Sequence, residues 1–337
     1  MSRGSSNGER VDPEAAPDEQ SGLLEQLERT LMGERRHTRL DVAERAGVPI
    51  ERAERLWRAL GFASVPDDEV VFTDNDVAAL QTIANLVRLG VVDESAEVAL
   101  SRSLGQTLAR LAEWQTAVVR DVVAEPDMPL KAQPGMVSAA EALLPIMERL
   151  QSHVWRRHLV AAAGRILALP PDSGASATVV VGFADIVSFT KLSRDIDDAG
   201  LAELLERFEG TASAVIAEGR GRVIKTLGDE VMFVADTPHA GADIALGLVE
   251  RIHAAADLPE LRTGLAYGPV LHRLGDVYGP VVNVAARLTS LARPGTVLVD
   301  RELASALADQ SRYALRKLRR VSVRGYRRLE PWALRVA

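Results

Sequence analysis

Two aspartates stand at the ends of short apolar segments that are typical of buried strands. Asp185 closes TVVVGFAD at 178–185, and Asp229 lies in the Leu227-Gly228-Asp229 turn between GRVIKT and EVMFVAD. Adjacent strand ends would bring both carboxylates to one rim of a sheet, and two such oxygens suit Mg²⁺ that also binds triphosphate oxygens. A pair of metal ions there could deprotonate an attacking hydroxyl and neutralise a leaving pyrophosphate. Either aspartate alone is more often a cap or a solvated turn residue.

A second set of polar residues lies in the segment 276–287. Asn283 and Arg287 are four residues apart in a helix-favouring stretch and therefore share a helix face, and Asp276 lies on the approach to it. An arginine there could stabilise charge that develops on a transferring phosphoryl group, and an asparagine could orient a sugar. Taken by itself, the segment is equally consistent with a solvated helix face that carries an i,i+4 pair.

Composition and spacing exclude several other kinds of site. The 337 residues include no cysteine, which removes disulfides, thiolate catalysis and cysteine-ligated metal centres. The six histidines show no zinc-ligand spacing, and Lys225-Thr226 lacks the glycine spacing of a P-loop. The net charge of −7 argues against nucleic acid as a partner. No segment has the run of about 20 apolar residues that spans a membrane, and the polar start does not resemble a signal peptide, so we expect a cytoplasmic protein.

The chemistry-bearing residues lie in the second of two differently patterned parts of the chain. Residues 1–21 are rich in Ser, Gly, Pro and acids and predict a disordered tail. From 22 to 169, apolar residues recur at three- and four-residue spacing, which predicts a helical domain ending in a linker helix. Within it, Asp74 and Asp76 precede an apolar helix as N-cap and first-turn acids. The cluster PPDSGASA marks a boundary, and 170–337 forms the second domain.

The second domain alternates strands and helices. Apolar runs predict strands at TVVVGFAD, GRVIKT, EVMFVAD, LRTGLAYG and TVLVD, and a helix with one apolar stripe follows the first strand and stops at Gly219. The turn at 227–229 predicts a hairpin between its neighbouring strands. The combination predicts an α+β sandwich with its helices on one face of the sheet.

Three segments of this domain together resemble a known family. FADIVSFT, KTLGDEVMF and DVYGPVVNVAAR, in this order and with these internal spacings, are similar to the three signature segments of class III nucleotidyl cyclases. The resemblance covers about 177–337, and all six positions of the family's catalytic set are filled. It implies a ferredoxin-like α+β catalytic domain, preceded here by an all-α regulatory domain.

The resemblance also implies a role for each polar residue. Asp185 and Asp229, with the backbone carbonyl of Ile186, would bind two divalent cations, Mg²⁺ or Mn²⁺. The other positions would contact the nucleotide: Lys225 and Asp276 select the purine, Asn283 orients the ribose, Arg287 stabilises the transition state, and Arg324 reaches the triphosphate. The family often has lysine where this sequence has Arg324.

Hydrogen-bonding chemistry at the purine pair favours adenine. The adenine edge offers an acceptor at N1 and a donor at N6, which match a Lys225 that only donates and an ionised Asp276 that only accepts. Guanine reverses this edge and would leave both side chains mispaired. ATP is therefore the expected substrate, and attack of its 3′-hydroxyl on the α-phosphorus would release pyrophosphate and form cyclic AMP.

The family builds each site from two subunits, with the metal ligands on one and the purine and ribose residues on the other. Lys225 and Asp229 are only four residues apart and would therefore serve different sites. Since one chain carries the whole set once, the resemblance implies a homodimer with two sites.

The first part of the chain carries two further resemblances. Residues 38–90 resemble the winged helix-turn-helix of MerR-type regulators, but they contain six arginines against nine acids, whereas a DNA-reading module needs a basic face. The whole arrangement resembles actinobacterial adenylyl cyclases whose N-terminal helical domain inhibits catalysis and responds to pH. His153 and His158 are then candidates for proton sensing, or they are plain surface histidines. A lipid is the second effector that this resemblance implies.

Two other functions remain open on the sequence alone. The GDE sequence at 228–230 resembles part of the GGDEF signature of diguanylate cyclases, although Leu227 and Val231 replace its first Gly and its Phe. Those enzymes also lack the NVAAR helix. The non-enzyme alternative is a MerR-like DNA-binding sensor with a catalytically dead cyclase-like domain.

Overall fold

The computed structural model describes residues 17–123, 135–168, 176–255, 257–273, 275–323 and 326–337. The chain divides into an N-terminal unit, Met1–Arg165, and a C-terminal unit, Ile166–Ala337. The predicted boundary at 169–170 lies outside the described residues, as do residues 1–16 of the predicted tail. Among the helices of the described ranges, none combines the length and apolarity that crossing a bilayer requires.

The N-terminal unit is helical. Its described helices, the last of which continues past Arg165, are α1 Pro17–Met32, α2 Arg39–Ala46, α3 Ile50–Leu60, α4 Asp74–Arg88, α5 Glu94–Val123 and α6 Gly135–Ala168. α1 begins at Pro17, inside the segment predicted as a tail.

Two capping boxes fix where α2 and α4 begin. The Thr38 hydroxyl accepts from the Asp41 backbone N–H at 3.2 Å, and the Asp41 carboxylate accepts from the Thr38 N–H at 2.9 Å. At α4, the Asp76 carboxylate accepts from the Thr73 N–H at 2.7 Å, so Thr73 rather than the predicted Asp74 is the N-cap. The helices then close around buried apolar residues: Val42, Ala43, Val48, Ala53, Leu56, Val77 and Leu80.

The C-terminal unit alternates strands and helices. Its described strands are β1 Ser176–Ile186, β2 Arg222–Leu227, β3 Glu230–Ala235, β4 Leu261–Arg273, β5 Asp276–Tyr278, β6 Thr296–Val299, β7 Tyr313–Lys317, β8 Val321–Val323, β9 Tyr326–Leu329 and β10 Trp332–Val336. Its described helices are α7 Phe189–Asp195, α8 Asp198–Glu218, α9 Pro238–Ala254, α10 Pro280–Leu291 and α11 Arg301–Leu307. The predicted hairpin is confirmed, because β2 and β3 are antiparallel neighbours and Gly228 between them has a φ of 68°. Gly219 is the C-cap of α8, as predicted.

The strands form one mixed sheet and a separate ribbon. The sheet has the order β2-β3-β1-β4-β6-β10-β7, and β5 pairs with β4 as its eighth strand. Its neighbouring strands are antiparallel except for β4 and β6, which are parallel. β8 and β9 form the two-stranded ribbon. The predicted α+β class is confirmed.

Helices cover both faces of the sheet, so the prediction of helices on one face is wrong. α8, α9 and α11 pack on one face around Phe208 and Leu248, and α10 packs on the other face through Ala285. The close approach of α10 requires Gly264 of β4, because a Cβ there would lie 2.2 Å from the Thr289 backbone nitrogen. Apolar periodicity predicts that a helix has a buried side but does not say which face of the sheet it covers.

Candidate active site

Asp185 and Asp229 come together at the end of β1. Asp185 is only 7% exposed and points to the same side of β1 as Phe183, the side that α10 covers. The hairpin tip supplies Asp229, whose backbone carbonyl accepts from the Ile186 N–H at 3.0 Å. Burial raises the pKa of Asp185, and the nearby Asp229 carboxylate raises this pKa further. The structure therefore contains a rim with two adjacent carboxylates, which we call the carboxylate rim.

Arg262 of β4 forms an ion pair with Asp185 that sequence reasoning missed. The two residues are partners in the β1–β4 register, and Nε and Nη2 of Arg262 both contact Oδ2 of Asp185. This contact lowers the pKa of Asp185 and so opposes the effect of burial. The signal in the sequence was an arginine inside the otherwise apolar strand LRTGLAYG, but its partner lies 77 residues away.

Glu230 is a third carboxylate at this end of the sheet that sequence reasoning missed. It follows Asp229 directly and is the partner of Asp185 in the β1–β3 register. Burial, and then the negative charges of Asp185 and Asp229, raise the pKa of Glu230 to about 7. A bound cation would favour the ionised form of all three groups.

The chemistry of the carboxylate rim fits a hard divalent cation that completes its ligand shell elsewhere. Within the described ranges, no group of three or more His, Asp or Glu side chains is arranged to hold a metal ion. Asp185 and Asp229 would therefore supply two carboxylates, and backbone, water and phosphate oxygens would supply the rest, as is common for Mg²⁺. Ile186 adjoins both residues through β1 and its N–H bond, and the use of its carbonyl stays a prediction.

Lys225 of β2 and Asp276 of β5 also come together. The Lys225 Nζ lies 2.6 Å from Asp276 Oδ2, and both side chains are partly buried. The other carboxylate oxygen of Asp276 accepts from the Val277 backbone N–H at 2.8 Å, which fixes the orientation of the carboxylate. The pair offers ammonium donors beside a carboxylate acceptor, which is the pattern predicted for reading adenine.

Asn283 and Arg287 stand apart from these two pairs, on α10. The Asn283 side chain is exposed and that of Arg287 is partly exposed. Neither forms a hydrogen bond or ion pair with another residue in the described part of the chain. The first turn of α10 lies against Gly268 of β4, where a Cβ would approach the Val281 side chain to 2.8 Å. This contact fixes where α10 lies along β4.

This alignment sets the separation of Asn283 from Asp185 within one chain. Thr289 lies over Gly264 and follows Asn283 by six residues, which is about 9 Å of helix rise. Asp185 pairs with Arg262, two residues further along β4, which adds about 7 Å of strand. One chain therefore holds Asn283 about 16 Å from Asp185 along the strand direction. At that distance the two side chains cannot both contact the same functional group of a bound molecule.

The structure places none of the remaining three predicted residues at the site described above. Arg324 lies outside the described residues. His153 and His158 are exposed on α6 in the N-terminal unit, and neither imidazole forms a hydrogen bond or ion pair with a described residue. A role for them in proton sensing stays a prediction.

Both parts of the chain are similar to parts of known cyclases. Residues 172–335 match the adenylate and guanylate cyclase catalytic domain, and residues 16–159 match the adenylate cyclase regulatory domain. An adenylate cyclase of Glutamicibacter nicotianae is 40% identical over 96% of this chain and 83% of its own length. An adenylate cyclase of Streptomyces coelicolor is 40% identical over 96% of this chain and 94% of its own. A pH-sensitive adenylate cyclase of Mycobacterium tuberculosis is 35% identical over 80% of this chain and 69% of its own.

Proposed function

Because the chain belongs to the adenylate cyclases that carry an N-terminal regulatory domain, we propose that it converts ATP to 3′,5′-cyclic AMP and pyrophosphate at sites shared between two copies of the chain. The family assignment rests on relatives that are 40% identical over nearly the whole chain. It replaces the diguanylate cyclase and the catalytically dead sensor that the sequence alone left open.

The carboxylate rim would hold two divalent cations, Mg²⁺ or Mn²⁺. When bound, such ions activate the 3′-hydroxyl of ATP and neutralise the leaving pyrophosphate. Asp185 is nearly buried, and Arg262 forms an ion pair with it. The Arg262 guanidinium beside the carboxylate rim could also bind an anionic oxygen of the nucleotide.

The Lys225–Asp276 pair would select the base. Its ammonium group can donate to adenine N1, and its carboxylate can accept from the N6 amino group. The hydrogen bond from the Val277 N–H holds the Asp276 carboxylate in place. Lys225 would then turn toward the base. A guanine edge would meet a donor with its N1–H and an acceptor with its O6, and such mispairing is strongly discriminated against.

The separation of about 16 Å between Asn283 and Asp185 is the single observation that carries the shared site. Since one chain does not bring ribose and metal residues together, α10 of a second copy would supply them. Asn283 of that copy would orient the ribose, and its Arg287 would stabilise charge that develops at the α-phosphorus. Two copies related by a two-fold axis then form two identical sites.

Mixing two inactive variants tests the shared site. In a heterodimer of Asp185→Ala with Asn283→Ala, one site loses both residues and the other keeps both. We expect each variant alone to be inactive and a statistical mixture to recover about a quarter of the wild-type rate of cyclic AMP formation.

The matched control mixes Asp185→Ala with Asp229→Ala. Both changes damage the carboxylate rim, so each site of that heterodimer lacks one metal ligand and no activity should return. The shared site is wrong if the first mixture forms heterodimers, as mass measurement of differently tagged copies would verify, and yet produces no cyclic AMP.

Regulation by the N-terminal unit, with the proton as effector, is the second part of the proposal. It is supported by the match of residues 16–159 to a regulatory domain and by the similarity to a pH-sensitive relative. His153 and His158 are exposed on the last helix before the catalytic domain in sequence, and imidazole titrates closest to physiological pH.

The double variant His153→Ala/His158→Ala tests this role. We expect its cyclase activity to vary less between about pH 5.5 and 7.5 than that of the wild type, because the sensing imidazoles are gone. His253→Ala removes an exposed histidine of the C-terminal unit and should keep the wild-type profile. An unchanged profile of the double variant contradicts proton sensing at these residues and leaves a lipid as the effector to test.

A further inference from the structure

Tyr278 is an exposed aromatic residue next to the Lys225–Asp276 pair. It ends the short strand β5, which consists of Asp276, Val277 and Tyr278. Val277 is 2% exposed and packs into the core beneath α10, so Asp276 and Tyr278 both lie on the opposite side of the strand. Asp276 contacts Lys225 there, whereas the Tyr278 side chain is 50% exposed. The sheet therefore presents an aromatic ring to solvent directly beside the pair that is proposed to read the base.

Leu271 of β4 lies beside Tyr278. The two residues are partners in the antiparallel β4–β5 register. Directly opposed residues share a face of the sheet, with their Cβ atoms about 4.5–5.5 Å apart. Leu271 is 49% exposed, so the two side chains form one continuous apolar surface that solvent can reach. We call this surface the Leu271–Tyr278 platform.

Packing within the chain does not account for an aromatic residue at position 278. In the described part of the chain, the Tyr278 hydroxyl has no hydrogen-bond partner and its ring contacts no other aromatic ring. By contrast, Tyr313 is buried, and its hydroxyl donates to Asp243 Oδ1 at 2.8 Å. The Tyr278 ring is therefore available for a ligand.

The platform lies between the residues proposed for the base and for the ribose. Asp276 and Tyr278 are two residues apart on one side of β5, which places their Cα atoms about 7 Å apart. Gly279, whose φ is 148°, then turns the chain into α10, and Asn283 follows in the first turns of that helix. A nucleotide that contacts Asp276 with its base and Asn283 with its ribose would therefore pass Tyr278.

We propose that Tyr278, with Leu271 beside it, binds a flat face of the adenine ring of ATP. The inference rests on the proposed function, because it takes ATP as the ligand and Lys225–Asp276 as the pair that reads the base. That pair binds the edge of the ring by hydrogen bonds, and the platform covers its face. Every base offers such a face, so the platform adds affinity without selecting the base, and the selection remains with Lys225 and Asp276.

Two ligands, one with a base and one without, test the platform. The first is 3′-deoxy-ATP, which keeps adenine but lacks the attacking hydroxyl, and the second is tripolyphosphate. Calorimetric titration of the full-length protein in Mg²⁺ measures both dissociation constants. We expect Tyr278→Ala to raise that of 3′-deoxy-ATP about tenfold or more and to leave that of tripolyphosphate unchanged. Tyr278→Phe keeps the ring and should retain most of the affinity.

Val336→Ala is the matched control, because it shortens an exposed apolar side chain on β10, and both ligands should bind to it as to the wild type. Circular dichroism and light scattering verify that each variant keeps its fold and its oligomeric state. The inference is overturned if folded Tyr278→Ala binds 3′-deoxy-ATP like the wild type, or if it loses affinity for both ligands equally. A changed oligomeric state also overturns it, because Tyr278 then serves a contact between copies.

The same titrations distinguish failure of the platform from failure of the proposed function. If the wild type binds 3′-deoxy-ATP but forms no cyclic AMP from ATP, the proposed function is wrong, and the difference between the two ligands still tests Tyr278. If the wild type cyclises ATP and Tyr278→Ala keeps its affinity for 3′-deoxy-ATP, only the platform is wrong. A wild type that does not bind 3′-deoxy-ATP overturns both.

Discussion

At the scale of single residues, the contact between Arg262 and Asp185 determines what the carboxylate rim can bind. Burial by itself favours the neutral form of Asp185, which is a poor metal ligand, and Arg262 works against this by favouring the anion. The same guanidinium also occupies a carboxylate oxygen that a divalent cation would use. Arg262 therefore favours the ionised form of Asp185 and would compete with a divalent cation for that carboxylate.

Removal of this competitor should strengthen metal binding. We expect Arg262→Gln to lower the dissociation constant of Mn²⁺ about fivefold at pH 8 in the absence of nucleotide, because a half-exposed ion pair contributes about 1 kcal/mol. Electron paramagnetic resonance of free Mn²⁺ measures this constant directly. Arg222→Gln, which removes the strand-borne pair with Asp236, is the control and should change nothing. Unchanged or weaker Mn²⁺ binding by Arg262→Gln would contradict the competition.

At the scale of elements, Gly264 lets α10 lie directly on β4. Its absent side chain leaves room for the backbone at Ala285 and Thr289, and the position of this helix decides where Asn283 and Arg287 stand. The resulting contact is backbone against backbone, so nothing flexible can move aside for a larger residue.

Gly264→Ala should therefore push α10 outward. We expect a loss of about 1–3 kcal/mol in the free energy of unfolding, as for other overpacked sites, measured by urea titration. Gly210→Ala on α8 is the control, because a Cβ there meets nothing within 4 Å, and it should be neutral or stabilise by up to about 1 kcal/mol. Equal stability of the two variants would show that α10 is not held in this way.

A buried carboxylate connects two other elements. Asp300 is the N-cap of α11, where it accepts from the Leu303 N–H at 2.9 Å, and it also accepts from the Tyr267 N–H of β4 at 3.3 Å. Burial raises the pKa of Asp300 to about 7. The folded chain thus binds a proton here that the unfolded chain has already lost above about pH 4.

This difference predicts how stability depends on pH. Since the folded state binds more protons between about pH 4 and pH 7, the Asp300 contribution to stability falls as pH rises through that interval. An asparagine at this position would still cap α11 with its side-chain oxygen but would not ionise, so Asp300→Asn should gain about 1–3 kcal/mol relative to the wild type between pH 5 and pH 8. Denaturant unfolding at both pH values checks this. A difference between the two proteins that does not change with pH would contradict the buried charge.

At the scale of the whole molecule, local patterns predicted the features that depend on local spacing. The β2–β3 hairpin and the end of α8 at Gly219 follow from turn residues and apolar runs, and the structure contains both. The six positions of the predicted catalytic set could be assigned from the sequence because the family's signature segments keep a fixed spacing. Lys225 and Asp276 are 51 residues apart, yet the resemblance predicted a pair, and the two side chains are in contact.

Features that depend on register and on packing between distant segments were not predictable in this way. The contact of Arg262 with Asp185 exists because β1 and β4 pair in one particular register. The raised pKa of Glu230 depends on how deeply the β3 end is buried. The close approach of α10 to the sheet depends on Gly264, a residue that lies outside that helix. None of these leaves a periodic signal in the sequence.

The β2–β3 hairpin ties the two proposed sites together mechanically. Three residues separate Lys225 from Asp229: the last two of β2 and Gly228 of the turn. In the proposed dimer, the hairpin would contact the base of one ATP through Lys225 and the cations bound with the other ATP through Asp229. Binding at one site would therefore shift a ligand of its neighbour, so that the two ATP molecules bind and react as a coupled pair with a Hill coefficient different from one.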